Sequence, residues 1–360
     1  EVYMEIPESM RDKYDPSKYV CDLQKSIYGL KTAGRNWNKC FDKYMESKGY
    51  RRCRSDPCVY MHHQRDVIVC VYVDDVVCTA AREKDGYTFL QGLRARFGIK
   101  EMGELDFVLG ISVTKIGKDL IMSQEAYAKR ILIEYKMQNC KGVTTPMAPS
   151  VKLTKDEEGP GVDQEKYRSI IGKIAYLATC TRPDLAYTVS KLSRYLNDPK
   201  RSHMLAVEYA LRYIKRTLHY GLRFTNAGTD MKMYVDADHA GCLDTRRSTS
   251  GCLIIFGGNL IHWRSKRQTI AVKSSAIAEY VALSEGLDEL LWMRNLFLEL
   301  DVKLGSSMVY EDNTACIRIA ENPILSQKTK AVDLHFHYCR DHLQRGIYML
   351  EYIPTDQQLA

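Results

Sequence analysis

The chain has no apolar run near the roughly 18 residues that a helical membrane span requires, and its opening residues do not form the basic, apolar and small-residue succession of a secretory leader. A helical membrane protein is excluded, and no membrane partner is expected. C-x-x-C pairs are absent as well. The twelve cysteines (Cys21, Cys40, Cys53, Cys58, Cys70, Cys78, Cys140, Cys180, Cys242, Cys252, Cys316 and Cys339) fall singly. That spacing argues against a disulfide scaffold and predicts reduced thiols in an intracellular setting, either a cytoplasmic particle or the nucleus. Cys53, Cys58, His62 and His63 match no zinc-finger spacing and read as structural or accidental. Charge is not strongly one-sided: 52 Lys and Arg against 45 Asp and Glu leave +7, which suits a polyanionic partner without requiring one. An initiator Met is lacking, and the chain stops at Gln357-Gln358-Leu359-Ala360 just after a strand-like stretch, so a piece of a longer polyprotein is expected. The 360 residues suffice for two or three domains.

Against these absences stands one stretch, Val67 to Cys78, where β-branched residues surround two adjacent acids, Asp74 and Asp75. The apolar residues read as strand in a covered sheet. Neighbouring carboxylates are costly inside strand pairing, because each charge needs water, a donor or a cation, so they mark a hairpin tip. A polar Asp-Asp turn accounts for that much, and so does a metal-holding turn. Upstream, Tyr28-Gly29-Leu30-Lys31-Thr32-Ala33-Gly34-Arg35-Asn36-Trp37 sets two glycines around Lys31, with Arg35 next, before a helical pattern at Trp37, Phe41 and Met45. It is either a helix start with solvated bases or a basic loop that grips phosphate.

These segments occur in order with Glu1-Val2-Tyr3-Met4-Glu5-Ile6-Pro7, Ser55-Asp56-Pro57, Tyr72-Val73-Asp74-Asp75, Met102-Gly103-Glu104-Leu105 with Leu109-Gly110-Ile111, and Tyr167-Arg168-Ser169-Ile170-Ile171-Gly172. The series resembles the reverse transcriptase of Ty1/copia-type retrotransposons, over the chain to about residue 227. The resemblance implies that Asp74 is a direct metal ligand with Asp75 its neighbour, that Tyr72 packs by the primer end, that Tyr28 to Trp37 contacts template and nucleotide, and that Met102 to Ser123 is a primer-grip hairpin. Gly34 stands where the family usually has Pro, which removes a fixed φ and loosens the loop. The family's first palm aspartate lies just before the Glu-Val-Tyr-Met segment, outside this chain.

Gly142 to Gly161, rich in Thr, Pro, Lys, Asp and Glu, reads as a connector. Tyr167 to Thr179, Asp184 to Leu196 and Ser202 to Leu218 read as amphipathic helices. Arg212, Lys215, Arg216 and His219 share a face of the third, either a solvated row or a surface for phosphates. Met231 to Ala237 alternates as a strand with Asp236 on its polar face. Strands near Leu253 to Phe256 and Leu260 to Trp263 follow around a Gly257-Gly258-Asn259 turn. In the helix Ser275 to Leu300, Glu279 has no base three or four residues away. Met308 to Glu311 reads as a strand ending at Asp312, for which a helix N-cap is the plain alternative.

Three acids at strand end, helix and strand end match the ribonuclease H pattern in order. Tyr234-Val235-Asp236-Ala237-Asp238, Arg247-Ser248-Thr249-Ser250-Gly251, Ala278-Glu279-Tyr280 and Glu311-Asp312-Asn313-Thr314 are similar to the ribonuclease H domain of the same family, over about residues 228 to 360. The resemblance implies that Asp236 and Asp312 hold magnesium, or manganese in its place, with Glu279 a shared ligand. His335 and His337 in Leu334-His335-Phe336-His337 are expected to pack or bind phosphate. A fourth family acid lies one residue past Ala360, so weakened rather than abolished hydrolysis is expected.

The expected fold is α+β and α/β: a partial right-hand polymerase palm with primer-grip hairpin (1–125), a mostly helical thumb and connection (126–227), and a ribonuclease H-like mixed sheet (228–360). Expected partners are an RNA template, a DNA primer, an RNA:DNA hybrid and dNTP. The alternative is a non-catalytic retroelement remnant that at most binds nucleic acid. Because two-metal chemistry takes its bridging carboxylates from two strands, purified residues 1–360 supplied with magnesium, dNTPs and a primed template should give no primer extension on a sequencing gel.

Overall fold

The computed structural model describes residues 2–149, 151–155, 158–322 and 333–360, without the side chains of 333, 334 and 336. Glu1 of the opening motif and the side chains of Leu334 and Phe336 lie outside the described residues. The chain forms two compact units, Glu1–Glu101 and Met102–Ala360.

In the first unit, β1 (Tyr3–Met4) pairs antiparallel with β2 (Cys21–Asp22). Helix α1 (Ala33–Ser47) leads to β3 (Arg51–Arg52), β4 (Val59–His62), β5 (Val67–Tyr72) and β6 (Asp75–Ala80), an antiparallel sheet in chain order, and then to α2 (Glu83–Phe97). Alternation along β5 sends Val67 and Val69 into a core with Phe41 and Met45 of α1, Tyr60 of β4, and Phe89 and Leu93 of α2. Cys70 and Tyr72, on the opposite face, are exposed. The expectation of a covered sheet therefore holds for one face at β5. Both helices pack into the same cluster, and β-branched residues suit an extended backbone whether or not a second layer lies over them. Gly34 falls inside the first turn of α1 rather than in the loop. The backbone N–H there has no intrahelical acceptor, so a helix start tolerates either Pro or Gly.

The second unit opens with β7 (Phe107–Val108), β8 (Ile111–Ile116) and β9 (Asp119–Ser123). They join β10 (Gly221–Phe224) in an antiparallel sheet ordered β10-β9-β8-β7, which ties the expected primer-grip hairpin to residues a hundred positions later. Helices α3 (Glu125–Glu134), α4 (Gln164–Cys180), α5 (Ala186–Leu192) and α6 (Arg201–Arg216) pack through Ile131, Tyr167, Ile174, Leu177, Val207, Leu211 and Ile214. Their apolar positions recur at helical spacing, which is why they bundle. The composition-shifted stretch after Gly142 is not a free linker. Leu153 is buried in the bundle, Tyr195 donates to its carbonyl at 2.8 Å, and Lys155 N donates to Asp244 Oδ1 at 2.9 Å. Val143, Met147 and Val151 pack on the same cluster, and composition averages these few apolar residues away.

The remaining elements are β11 (Met231–Asp238), β12 (Thr249–Phe256), β13 (Asn259–Arg267), α7 (Ser275–Glu299), β14 (Ser307–Glu311), α8 (Thr314–Glu321), α9 (Asp333–Gln344) and β15 (Tyr348–Tyr352). The sheet order is β13-β12-β11-β14-β15. The first three strands form an antiparallel meander and the last two add in parallel. The expected mixed sheet is thus present, an antiparallel meander extended by two parallel strands. Glycines at 257 and 258, both with positive φ, form the tight turn between β12 and β13. Helix α7 lies against the sheet through Tyr280, Leu283, Leu287 and Leu290. Among the described residues no helix is long and apolar enough to cross a membrane.

Gly286 sets how close α7 comes. A Cβ there would sit 2.8 Å from Val235 Cγ1 and 3.2 Å from Met233 Sδ, both on β11. Glu279 lies two turns earlier on the same stripe, so this close approach also brings its carboxyl over the end of β11. Gly286→Val should therefore destabilise the second unit by about 3 kcal/mol, the upper end of overpacking penalties, since a valine gains little helix propensity over glycine by comparison. Denaturant unfolding would measure the loss.

Candidate functional site

Asp236 and Asp312 reach one place because of strand register. Tyr234 and Tyr310 are direct partners across the parallel β11–β14 pair, and their rings stack at 4.8 Å between centroids. Such cross-strand aromatic pairs fix register. Each acid lies two residues further along its strand direction, at the same level. Asp312 is not the helix cap. Asn313 caps α8, accepting from Ala315 N at 3.0 Å and Cys316 N at 3.1 Å. Asp312 is thereby left for another use, and its Oδ2 accepts from Thr355 Oγ1 at 2.6 Å.

Glu279 completes the group: oxygen atoms of Asp236, Glu279 and Asp312 all lie within 4.8 Å of one another, and among the described residues no other His, Cys, Asp and Glu set does so. Cys53, Cys58, His62 and His63 do not converge as ligands. Glu279 is only 6% exposed, and its Oε2 has no hydrogen-bond partner. Burial, then the charges of Glu311, Asp236 and Asp312, push its pKa up to about 9. Burial and the Asp312 charge raise Asp236 too. Carboxylates held so close cannot all ionise without a compensating cation, and three oxygen donors with an orphaned buried oxygen among them fit a hard divalent ion.

Two acids near this group escaped the sequence reading. Glu311, the last residue of β14, is fully buried; it accepts from Asn313 N at 3.0 Å, and burial pushes its pKa up to about 8. Asp238 accepts from Thr249 N across the β11–β12 pair, and a Cβ at Gly241 would fall 2.0 Å from its Oδ2, so a larger residue there would push the Asp238 carboxyl aside. Alternation offered a partial signal for Asp238. For Glu311 the same alternation, which puts it on the buried face with Val309, was outweighed because a strand-end glutamate usually points to water.

In the first unit the hairpin tip is a two-residue turn, Val73-Asp74, closed by the Tyr72–Asp75 pair. Val73 has φ +52°, an outlier for a β-branched residue. Trp37 Nε1 donates to Val73 O at 3.0 Å, and Tyr28 Oη donates to Asp74 Oδ2 at 3.2 Å. Asp74, Asp75 and Tyr72 are exposed, open to an approaching ion or nucleic acid. Lys31 and Arg35 are exposed, in the turn before α1 and in its first turn. Tyr28 and Trp37, which bracket these bases nine residues apart, are the residues that touch the turn. On α6, Arg216 is exposed and Lys215 half-buried, whereas Arg212 spends its Nε on Lys141 O at 2.8 Å and stacks on Tyr209, so its role is at least partly structural. His335 packs through Nδ1 against Ser284 Oγ at 2.7 Å.

Residues 1–149 match the family model described as reverse transcriptase (RNA-dependent DNA polymerase). The whole chain is 35% identical over 372 residues to the retrovirus-related Pol polyprotein from transposon TNT 1-94 of Nicotiana tabacum, covering 28% of it. It is also 36% identical over 364 residues to the Pol polyprotein from transposon RE2 of Arabidopsis thaliana, covering 25%. The chain thus spans about a quarter of the length of the polyproteins it matches. A crystal structure of LC11-RNase H1 in complex with RNA/DNA hybrid covers 36% of this chain and 88% of its own at 16% identity, with a TM-score of 0.29; at that score the likeness carries no argument.

The raised acids set a pH dependence. Glu279 binds its proton more tightly folded (pKa about 9) than at its ordinary value of 4.5, so its contribution is favourable at low pH and is lost as pH rises through about 9. With chelator present, thermal unfolding should show stability falling across that window. Glu279→Gln should flatten the fall and stabilise the metal-free chain at neutral pH by roughly 1–3 kcal/mol. Added magnesium should raise the melting temperature of the parent and not of the variant.

Proposed function

The chain belongs to the Pol polyproteins of Ty1/copia-type retrotransposons, its first part to their reverse transcriptase, and from that premise we propose that its second unit is a divalent-metal ribonuclease H acting on RNA:DNA hybrids. The observation that carries this reading is the convergence of Asp236, Glu279 and Asp312 within 4.8 Å, with a buried glutamate oxygen left unpartnered. Asp236 and Asp312 would hold magnesium or manganese from the two strand ends, and Glu279 would reach the same ions from α7. When bound, the metal polarises the scissile phosphate and lowers the pKa of the attacking water. The protein's part is to preset the ligand positions. The Tyr234–Tyr310 stack fixes the relative height of the two strand acids, Asn313 frees Asp312 from capping, and Gly286 lets Glu279 come close. The surrounding apolar packing keeps these groups from relaxing apart.

The first unit we read as the part of the palm that presents Asp74 and Asp75 to polymerase metals in the parent, an RNA-directed DNA polymerase using template, primer and dNTP. Exposure of both acids supports this, as does the Tyr28 hydroxyl that steadies Asp74. Tyr72 would lie by the primer end, with Lys31 and Arg35 toward phosphates and Lys215 and Arg216 toward the duplex backbone.

Labelled RNA:DNA hybrid incubated with the chain and magnesium should be cleaved in its RNA strand, while RNA duplex should not. Asp236→Asn should reduce the rate by at least about a hundredfold, on the scale of losing a ligand to a catalytic metal. Hybrid retained in a filter-binding assay with no cleavage by the parent chain would instead favour the non-catalytic remnant.

A further inference from the structure

The chain's last eight residues lie across the carboxylate group and touch each strand that builds it. Ile353 N donates to Glu311 O at 3.1 Å, carrying the β14–β15 alignment one step past Tyr352. Thr355 Oγ1 donates to Asp312 Oδ2 at 2.6 Å, a bond spanning 43 residues. Gln358 Nε2 donates to Val235 O at 2.9 Å, the residue before Asp236, while its own side-chain oxygen accepts from the N–H groups of Leu359 and Ala360. The Ala360 backbone lies against Gly251, the β12 residue paired with Asp236.

The geometry points to Thr355 as a positioning residue for the metal centre, acting through Asp312; the inference rests on the reading of that centre given above. Asp312 sits just beyond the end of β14, in a bend between strand and helix, where an aspartate has no neighbour on its own element to fix its carboxyl. Asn313 has taken the capping position, so local structure does not hold the group either. Thr355 supplies what is missing. Its hydroxyl ties one Asp312 oxygen, its branched Cβ restricts its own rotamers, and Pro354 before it limits the backbone. Gln358 then anchors the segment to the neighbouring strand, so that Thr355 and Asp236 are referenced to the same backbone. A surface threonine making an incidental bond would need none of these further attachments.

The test compares the parent chain with Thr355→Val, which keeps the shape and removes the hydroxyl, Thr355→Ser, which keeps the hydroxyl, and Asp312→Asn. Manganese binding is measured calorimetrically without nucleic acid. Outer hydrogen bonds to metal ligands typically change affinity 10- to 100-fold, so Thr355→Val should bind manganese at least about tenfold more weakly, with Thr355→Ser near the parent. In hybrid cleavage, the magnesium needed for half-maximal rate should rise to the same degree, and KM for hybrid at saturating magnesium should stay constant. Thr355 is exposed, so valine should be accommodated; if its melting temperature falls, Thr355→Ala supplies the same comparison. Parent-like manganese affinity in Thr355→Val, alongside loss of binding in Asp312→Asn, overturns the positioning role and leaves the metal reading intact. A parent chain that binds no manganese overturns both.

Discussion

Negative charge gathered where water is scarce is the constraint around which the second unit is built. Asp236, Glu279 and Asp312 converge, buried Glu311 stands behind them, and the raised pKa values of the first two and of Glu311 measure how poorly the fold solvates them. A purely structural cluster of this kind would be a liability, since a buried uncompensated carboxylate costs several kcal/mol. The fold nonetheless holds it in place from several directions. The stacked tyrosines, the glycine under α7 and the asparagine that caps α8 each act in a way that keeps the acids together. Consistency of this sort, in which local choices agree on an arrangement unfavourable by itself, is expected at a functional site.

Much of the architecture was legible because it follows short periods. The alternation of Met231, Met233 and Val235 against Lys232, Tyr234 and Asp236 gave β11 and the face of its acid, and the stripe of Tyr280, Leu283, Leu287 and Leu290 gave α7. The three acids were legible by order and element type. What stayed hidden depends on contacts between distant segments, which leave no local mark. Asp312 was the cap that the sequence offered for α8, and the turn geometry gives that place to Asn313. The hydrogen bond from Thr355 and the pairing of β10 with β9 are of the same kind. The stretch after Gly142 misled for a different reason: its composition is polar on average, while a few apolar residues, Val143, Met147, Val151 and Leu153, hold it against the bundle.

The first unit shows a smaller version of a held, unfavourable geometry. A valine with φ near +50° is strained by about 1–3 kcal/mol, and the indole N–H of Trp37 is bonded to that same residue's carbonyl. The strained residue directly precedes Asp74, so the strain sets the direction in which the acid leaves the hairpin. A cavity of about 210 Å³ is lined by Trp37, Phe41, Tyr60, Val71 and Val73.

Trp263 bears on how the five-stranded mixed sheet could be isolated. Its indole nitrogen reaches back to the Ala178 carbonyl at 2.6 Å, and Arg194 bonds Thr249 at 3.1 Å, so β12 and β13 lie under the helical bundle as under a roof. Excising residues from 228 onward, where the sequence alone would place the cut, would bare an indole and one side of an edge strand. A version that keeps this roof must start well before the sheet, and the compact unit that holds both begins at Met102.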